Sequence, residues 1–238
     1  LKRLPGHGKL AFVKKSDVCV LIPAYNEEKN ISVLLSKILA RGYPALVVDD
    51  GSLDGTAAAA KEAGAAEVLR LESNAGKGAA TRRGIEWVLG RGYEAVIFMD
   101  ADGQHDPAEL DLFFDALNQG AQVVIGNRMR NPAGMPWLRR ATNRFMSWLI
   151  SLLAHQTIPD TQCGYRAMTK NVLEKMSFST DRFEMDSEML LEAARLGARM
   201  ESVPVRSVYE GGKSRIHPLR DTARFFLFLF RYFSSKKV

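Results

Sequence analysis

The chain has 238 residues, 46% hydrophobic and 25% charged, a balance that suits one large folded domain and excludes extensive disorder or two comfortable enzyme domains. Its formal charge of +6 is uneven: residues 1–127 hold 14 Lys/Arg against 17 Asp/Glu, a net −3, and residues 128–238 hold 19 against 10, a net +9. The basic second half points to an anionic partner, with lipid headgroups, a phosphorylated acceptor and nucleic acid as the open classes. Cys19 and Cys163 have no metal-type or redox-type spacing, so a reducing compartment is expected. No run approaches eighteen apolar residues, and the basic start over residues 1–15 lacks the apolar core of a signal peptide. Neither a membrane span nor export by a visible signal is expected.

In chain order, β-branched apolar runs at residues 18–22, 45–48, 67–71, 95–99 and 122–125 alternate with helical patterns, the rhythm of βαβ units and a largely parallel sheet. Asn26-Glu27-Glu28, Asp54-Gly55-Thr56 and Asp106-Pro107 mark helix starts, with Asn26 and Asp54 as capping residues, while Gly42, Gly64, Gly92 and Gly120 stop the helices. After Arg128 the pattern changes. A Gly/Pro loop over 131–136 leads to a long helix over 137–155, a short strand at 165–168, helices near 170–176 and 186–196, a strand at 200–205, and a helix from Pro218 onward. The first half reads as a nucleotide-binding sheet and the second as an acceptor-binding elaboration of the same domain.

The chemistry concentrates where strands end. The fourth strand runs into Asp100-Ala101-Asp102-Gly103-Gln104-His105. Alternation along a strand turns Asp100 and Asp102 the same way, so two hard oxygen ligands can share one Mg²⁺ or Mn²⁺ with substrate phosphates. A plain polar turn would use the same residues. Two further strand ends, Pro23-Ala24-Tyr25-Asn26-Glu27 and Val48-Asp49-Asp50-Gly51-Ser52, should converge with it on one crevice at the carboxyl edge of the sheet. Gly76-Lys77-Gly78 is not a Walker motif, because no Gly stands five residues earlier and no Ser or Thr follows the lysine. Lys77 is either a phosphate ligand or a solvated surface lysine. His105 reads as a structural turn residue.

With these motifs the chain resembles glycosyltransferase family two, and more narrowly the dolichol-phosphate-mannose synthase group of polyprenyl-phosphate glycosyltransferases, over residues 18–215. The resemblance implies an α/β GT-A fold, the nucleotide-diphospho-sugar transferase fold, with a mostly parallel central sheet flanked by helices. It divides the chain into a basic extension at 1–16, one domain at 17–217 with a nucleotide-sugar half (17–128) and an acceptor half (129–217), and a basic, aromatic helix at 218–238. It further implies that Pro23, Tyr25, Glu27, Val48, Asp50, Lys77, Asp100, Ala101, Asp102, Arg128, Ser214 and Arg215 hold the nucleotide sugar. Asp100, Asp102 and Gln104 would hold the metal, and Asp102, Asp160, Arg128 and Arg215 would serve catalysis. Asp160 to Arg166 matches an acceptor-side segment, for which an Arg166–Asp160 ion pair is the structural alternative. Asp186 matches an acidic position facing the crevice. Lys213-Ser214-Arg215 matches a loop that closes over phosphates. Tyr209, where eukaryotic-type mannose synthases carry Arg, and Gly103-Gln104 in place of Leu-Ser weaken GDP-mannose as the expected donor and leave UDP-sugars open.

The implied function is an inverting, metal-dependent hexosyl transfer from a nucleotide diphosphate sugar to a polyprenyl phosphate, by a peripheral protein on the cytoplasmic face of a membrane. A phosphate acceptor is already anionic and needs no base. A sugar hydroxyl acceptor would need one, such as Asp160 or Asp186. A nucleotidyltransferase would also use an acidic metal site on an α/β sheet and differs in releasing pyrophosphate, whereas a basic nucleic-acid-binding protein leaves the three acidic strand ends unexplained, and nucleic acid is not expected as a partner. The anionic membrane surface is expected to meet two helices. In one, Trp137, Ala141, Phe145, Trp148 and Leu152 share a face with Arg139, Arg140 and Arg144 off it. In the other, Phe225, Phe226, Phe228, Leu229 and Phe230 surround a stripe of Arg220, Arg224 and Arg231.

Overall fold

The computed structural model describes residues 13–132, 134–181, 184–206 and 218–235. Its centre is a seven-stranded sheet in the order β3-β2-β1-β4-β6-β5-β7, formed by β1 Val18–Ala24, β2 Ala45–Asp49, β3 Glu67–Arg70, β4 Ala95–Phe98, β5 Val123–Asn127, β6 Arg166–Thr169 and β7 Met200–Pro204. All neighbours are parallel except β6, which runs antiparallel to both β4 and β5. The sheet is therefore mixed at one place only, where a strand of the second half is inserted into the first.

Period-two alternation sends Val18, Val20 and Ile22 to one side of β1 and Cys19 and Leu21 to the other, so both faces of this central strand are apolar. Helices α1 Glu28–Leu39, α2 Thr56–Glu62 and α4 Leu110–Asn118 cover the first face. Helices α3 Lys77–Leu89, α5 Trp137–Ala154, α6 Lys170–Leu173, α7 Met185–Arg195 and α8 Pro218–Ser235 lie on the second. Helix α3 packs so closely on the sheet that a Cβ at Gly84 would lie 2.5 Å from Leu21 Cδ1.

The loops after β1 and β2 are stitched together at the carboxyl edge. The Glu28 N–H donates to Asp54 Oδ2 at 3.3 Å and the Gly55 N–H donates to Glu28 Oε2 at 3.0 Å, so each loop serves the other's helix start. The Glu27 N–H donates to Thr56 Oγ1, and Asn26, at φ 55°, accepts from the Leu53 N–H. Asn26 therefore fastens the neighbouring loop and does not cap α1. Gly42, Gly64 and Gly120 have positive φ as helix stops, but α3 ends at Gly90, before Gly92. Helix α6 is also shorter than the pattern over 170–176 suggests.

Candidate active site

The carboxyl ends of β1, β2, β4 and β5 lie on one edge of the sheet. The antiparallel β6 begins at that same edge, with Arg166 registered against Phe98 and Ile125. The strand order thus delivers the loop before β6 to the end of β4.

Strand β4 stops at Phe98, so Asp100 and Asp102 stand on the following turn and strand alternation does not orient them. The turn forms because the Asp100 N–H points to His105 Nδ1 at 3.4 Å, Asp102 Oδ1 accepts from the Gln104 N–H at 3.0 Å, and Gly103 takes a φ of 75°. His105 is buried and stacked on Tyr165 with ring centroids 4.9 Å apart. Burial pushes the imidazole pKa down against the raising charges of Asp100 and Asp102, which suits its structural part.

Lys77, the first residue of α3, is no surface lysine. Its Nζ lies 2.6 Å from Asp100 Oδ1 and 3.3 Å from Asp186 Oδ2, bridging the β4 turn to the start of α7. Burial would raise the Asp100 carboxyl, but the Lys77 charge overrides it, helped by His105, and holds it at about 2. The same pair of acids raises the Lys77 ammonium against the lowering effect of burial. Desolvation and then the charge of Asp100 push the Asp102 carboxyl up. A Cβ at Gly164 would lie 2.6 Å from Asp100 Oδ2 and 3.0 Å from Lys77 Nζ, so only glycine lets this backbone approach the pair.

Arg128 and Arg166 both have buried partners within the protein. Asp160, fully buried, forms a two-point pair with Arg128, at 2.8 Å to Nε and 2.9 Å to Nη2, and also accepts the Arg128 N–H at 3.1 Å. Arg166, equally buried, donates instead to the carbonyls of Cys163 and Thr161, both at 2.7 Å, and of Asp186. The Arg166–Asp160 ion pair, the structural alternative for this segment, is not formed, and Asp160 is clasped by Arg128 instead. The Val48 side chain sits in the core, beneath Gly84.

Asp50 receives the N–H groups of Ala75 and Gly76 at 2.8 and 2.9 Å, which fixes the turn ahead of Lys77. Asp49 lies inside, holding the Ser52 N–H at 2.9 Å. Pro23, Tyr25 and Glu27 are half-buried beside these turns, and Ala101 is buried beneath the Asp100–Asp102 turn. Ser214 and Arg215, with Lys213 and Tyr209, lie outside the described residues. Sequence reasoning missed the Lys77–Asp100 pair and Gly164. It also missed Glu188, whose buried carboxylate accepts from the N–H and hydroxyl groups of Ser179 and Thr180 and so shapes the approach to α7.

The donor set of the turn fits a hard divalent cation. Two carboxylates repel one another there, and a cation would relieve that repulsion. Among the described residues no group of three His, Cys, Asp or Glu is gathered for a metal, so the protein would supply part of a coordination sphere, as suits an ion shared with phosphates.

The family model described as "Glycosyl transferase family 2" matches residues 19–177. The chain is 34% identical over 220 residues to the glycosyltransferase AglJ of Haloferax volcanii, covering 90% of this chain and 71% of that protein. It is 39% identical over 171 residues to the polyprenol monophosphomannose synthase of Mycolicibacterium smegmatis, covering 67% and 64%. The glucosyl-3-phosphoglycerate synthase of Mycobacterium tuberculosis, solved with Mn²⁺, UDP and phosphoglyceric acid, superposes with a TM-score of 0.68 at 22% identity over 91% of this chain and 77% of that one. The sheet described above is thus the GT-A fold.

Proposed function

The chain belongs to glycosyl transferase family 2, and from that premise we propose that it moves a hexose from a nucleotide diphosphate sugar to the phosphate of a polyprenyl carrier at a membrane surface, with inversion. A phosphate oxygen of the acceptor attacks the anomeric carbon as its bond to the nucleotide diphosphate breaks, and the diphosphate leaves with the electron pair. The observation that carries the phosphate acceptor is the state of the two candidate bases. Asp160 is buried against Arg128 and Asp186 is paired with Lys77, so neither stands ready to deprotonate a hydroxyl, and an acceptor that is already an anion needs neither. The name of the mycobacterial relative, a polyprenol monophosphomannose synthase, supports the same acceptor class.

Asp100 and Asp102, with Gln104 beside them, would hold Mg²⁺ or Mn²⁺, which when bound offsets the charge of the departing diphosphate. Pro23, Tyr25, Glu27, Asp50 and Ala101 would line the nucleotide side, with Lys77, Arg128, Ser214 and Arg215 toward the phosphates.

Helix α5 supports a peripheral place on a membrane surface, and the cytoplasmic face is part of the same proposal. It buries Asn143 and Ser147 and exposes Trp137 (79%), Phe145 (50%), Trp148 (59%) and Leu152 (57%) with Arg140 and Arg144 nearby, the arrangement of a helix that meets lipid headgroups. Among the described residues no helix is long and apolar enough to cross a membrane.

Labelled UDP-, GDP- and dTDP-sugars offered with Mg²⁺ or Mn²⁺ and vesicles carrying either polyprenyl phosphate or the free polyprenol test the reading. Label should enter the organic extract only with the phosphate, with release of nucleoside diphosphate. Label on the free alcohol or in a water-soluble glycan, or release of pyrophosphate, would overturn it.

A further inference from the structure

Lys77 occupies a ligand position of the acidic turn. Its Nζ stands 2.6 Å from Asp100 Oδ1, while the other oxygen of that carboxylate faces Gly164 so closely that a Cβ there would lie 2.6 Å away. A second cation at this carboxylate would therefore have to share it with the ammonium or displace it. The lysine is anchored on its far side by Asp186 Oδ2 at 3.3 Å, and Asp186 is itself held by Arg166, whose Nη1 lies 3.8 Å from its Oδ1. One ammonium therefore ties the β4 turn to the start of α7, across the two halves of the domain.

We propose that Lys77 is a built-in counter-ion that keeps free divalent cations off Asp100 and yields that carboxylate only to a cation arriving with a nucleotide diphosphate. The inference rests on the reading of Asp100 and Asp102 as metal-holding residues. A bare cation must displace the ammonium and then sit beside it, which opposes binding through like charge. A cation carried on a diphosphate brings its own negative oxygens. The ammonium can then leave Asp100 for those oxygens while Asp186 still holds it, so the exchange proceeds without stranding a charge. Because coupling is reciprocal, the nucleotide strengthens cation binding by the factor by which the cation strengthens nucleotide binding. Lys77 is in this sense a positioning residue that sets the order of loading.

The test reads cation binding and not turnover. Mn²⁺ is titrated into the full chain and followed by loss of the free-ion electron paramagnetic resonance signal, without nucleotide and with saturating UDP or GDP. Wild type should bind Mn²⁺ weakly alone and much more tightly with one of the nucleotides. In Lys77→Met and Lys77→Gln, removal of the competing charge should tighten nucleotide-free Mn²⁺ binding by about tenfold or more, as one to a few pK units of charge coupling imply. The gain from the nucleotide should shrink. Lys77→Arg, which keeps the charge, should stay weak alone. Equal nucleotide-free affinities in wild type and both neutral variants, with each protein confirmed folded by circular dichroism, would overturn the inference and leave the metal reading intact. Absence of Mn²⁺ binding in every protein even with nucleotide would overturn the metal reading and the inference with it.

Discussion

Asp160 shows how a single carboxylate can look catalytic in sequence and be structural in space. It accepts four contacts, three from Arg128 and one from the Gln162 N–H at 3.3 Å, with no exposure. Removing one charge of such a pair leaves the other buried and uncompensated. Asp160→Asn should therefore lower unfolding free energy by about 3–5 kcal/mol in a denaturant titration. Arg128→Met combined with Asp160→Leu should cost less than the sum of the two single changes. Additive losses would show that the pair is not coupled. The partner of Asp160 was not legible in the sequence. Arg166 is nearer along the chain, but it starts β6, and the carbonyls of Cys163, Thr161 and Asp186 surround its guanidinium. The Asp100–Asp102 motif was legible as chemistry. Its geometry was not, because the length of β4 depends on pairing with Leu21 and Arg166, which no local pattern encodes.

At the scale of elements, helix periodicity was plain in the sequence, and for α5 so was the outward face, since Trp137, Phe145, Trp148 and Leu152 are exposed; for α8 the division between faces was not. The inward side of helix α5 mixes polar Asn143 and Ser147 with apolar Ile150 and Ala154. Its Ser147 Oγ accepts the Thr161 N–H at 2.9 Å and its Ser151 Oγ accepts the Ile158 N–H at 2.9 Å, so hydroxyls bind the loop leading to β6 while aromatic rings face outward. Phe145→Ser with Trp148→Ser removes exposed rings that the core does not use, so the melting free energy should change by no more than about 0.5 kcal/mol for each change. Pelleting with anionic vesicles at low salt should fall severalfold, and pelleting equal to wild type would mean this face does not meet lipid. Helix α8 is divided. Phe225, Phe228, Leu229 and Tyr232 lie in the core and Leu227 and Phe230 are exposed, so its aromatics do not form the single outward platform that the sequence suggests. The Arg220, Arg224 and Phe226 side chains lie outside the described residues.

For the molecule as a whole, this division decides what truncation should do. The Tyr232 hydroxyl donates to the buried Glu192 at 2.7 Å, and its ring joins the cluster that includes Met185, Leu190 and Ile150. Removing residues from 225 onward uncovers four buried side chains, each worth about 1.5–3 kcal/mol. The shortened chain should unfold at markedly lower denaturant or fail to accumulate in folded form. A melting curve equal to that of the full chain would place the tail outside the core. The alternation of strands and helices, and the crevice at the carboxyl edge, were readable from the first half of the sequence. The seating of the second half was not, since it depends on where one antiparallel strand goes.

That strand, β6, sits between β4 and β5 although it is made after both. While the chain emerges from the ribosome, β1 to β4 can assemble in the order of their synthesis, and β5 then appears with its final neighbour on that side still unmade. Until residues 166–169 arrive, the edge of β4 is open to any passing strand, and direct pairing with β5 would close the sheet in the wrong order. The loop that carries Asp160 and Gly164 is the lead-in to the piece that seals this gap, so this part of the site is set only as the gap closes.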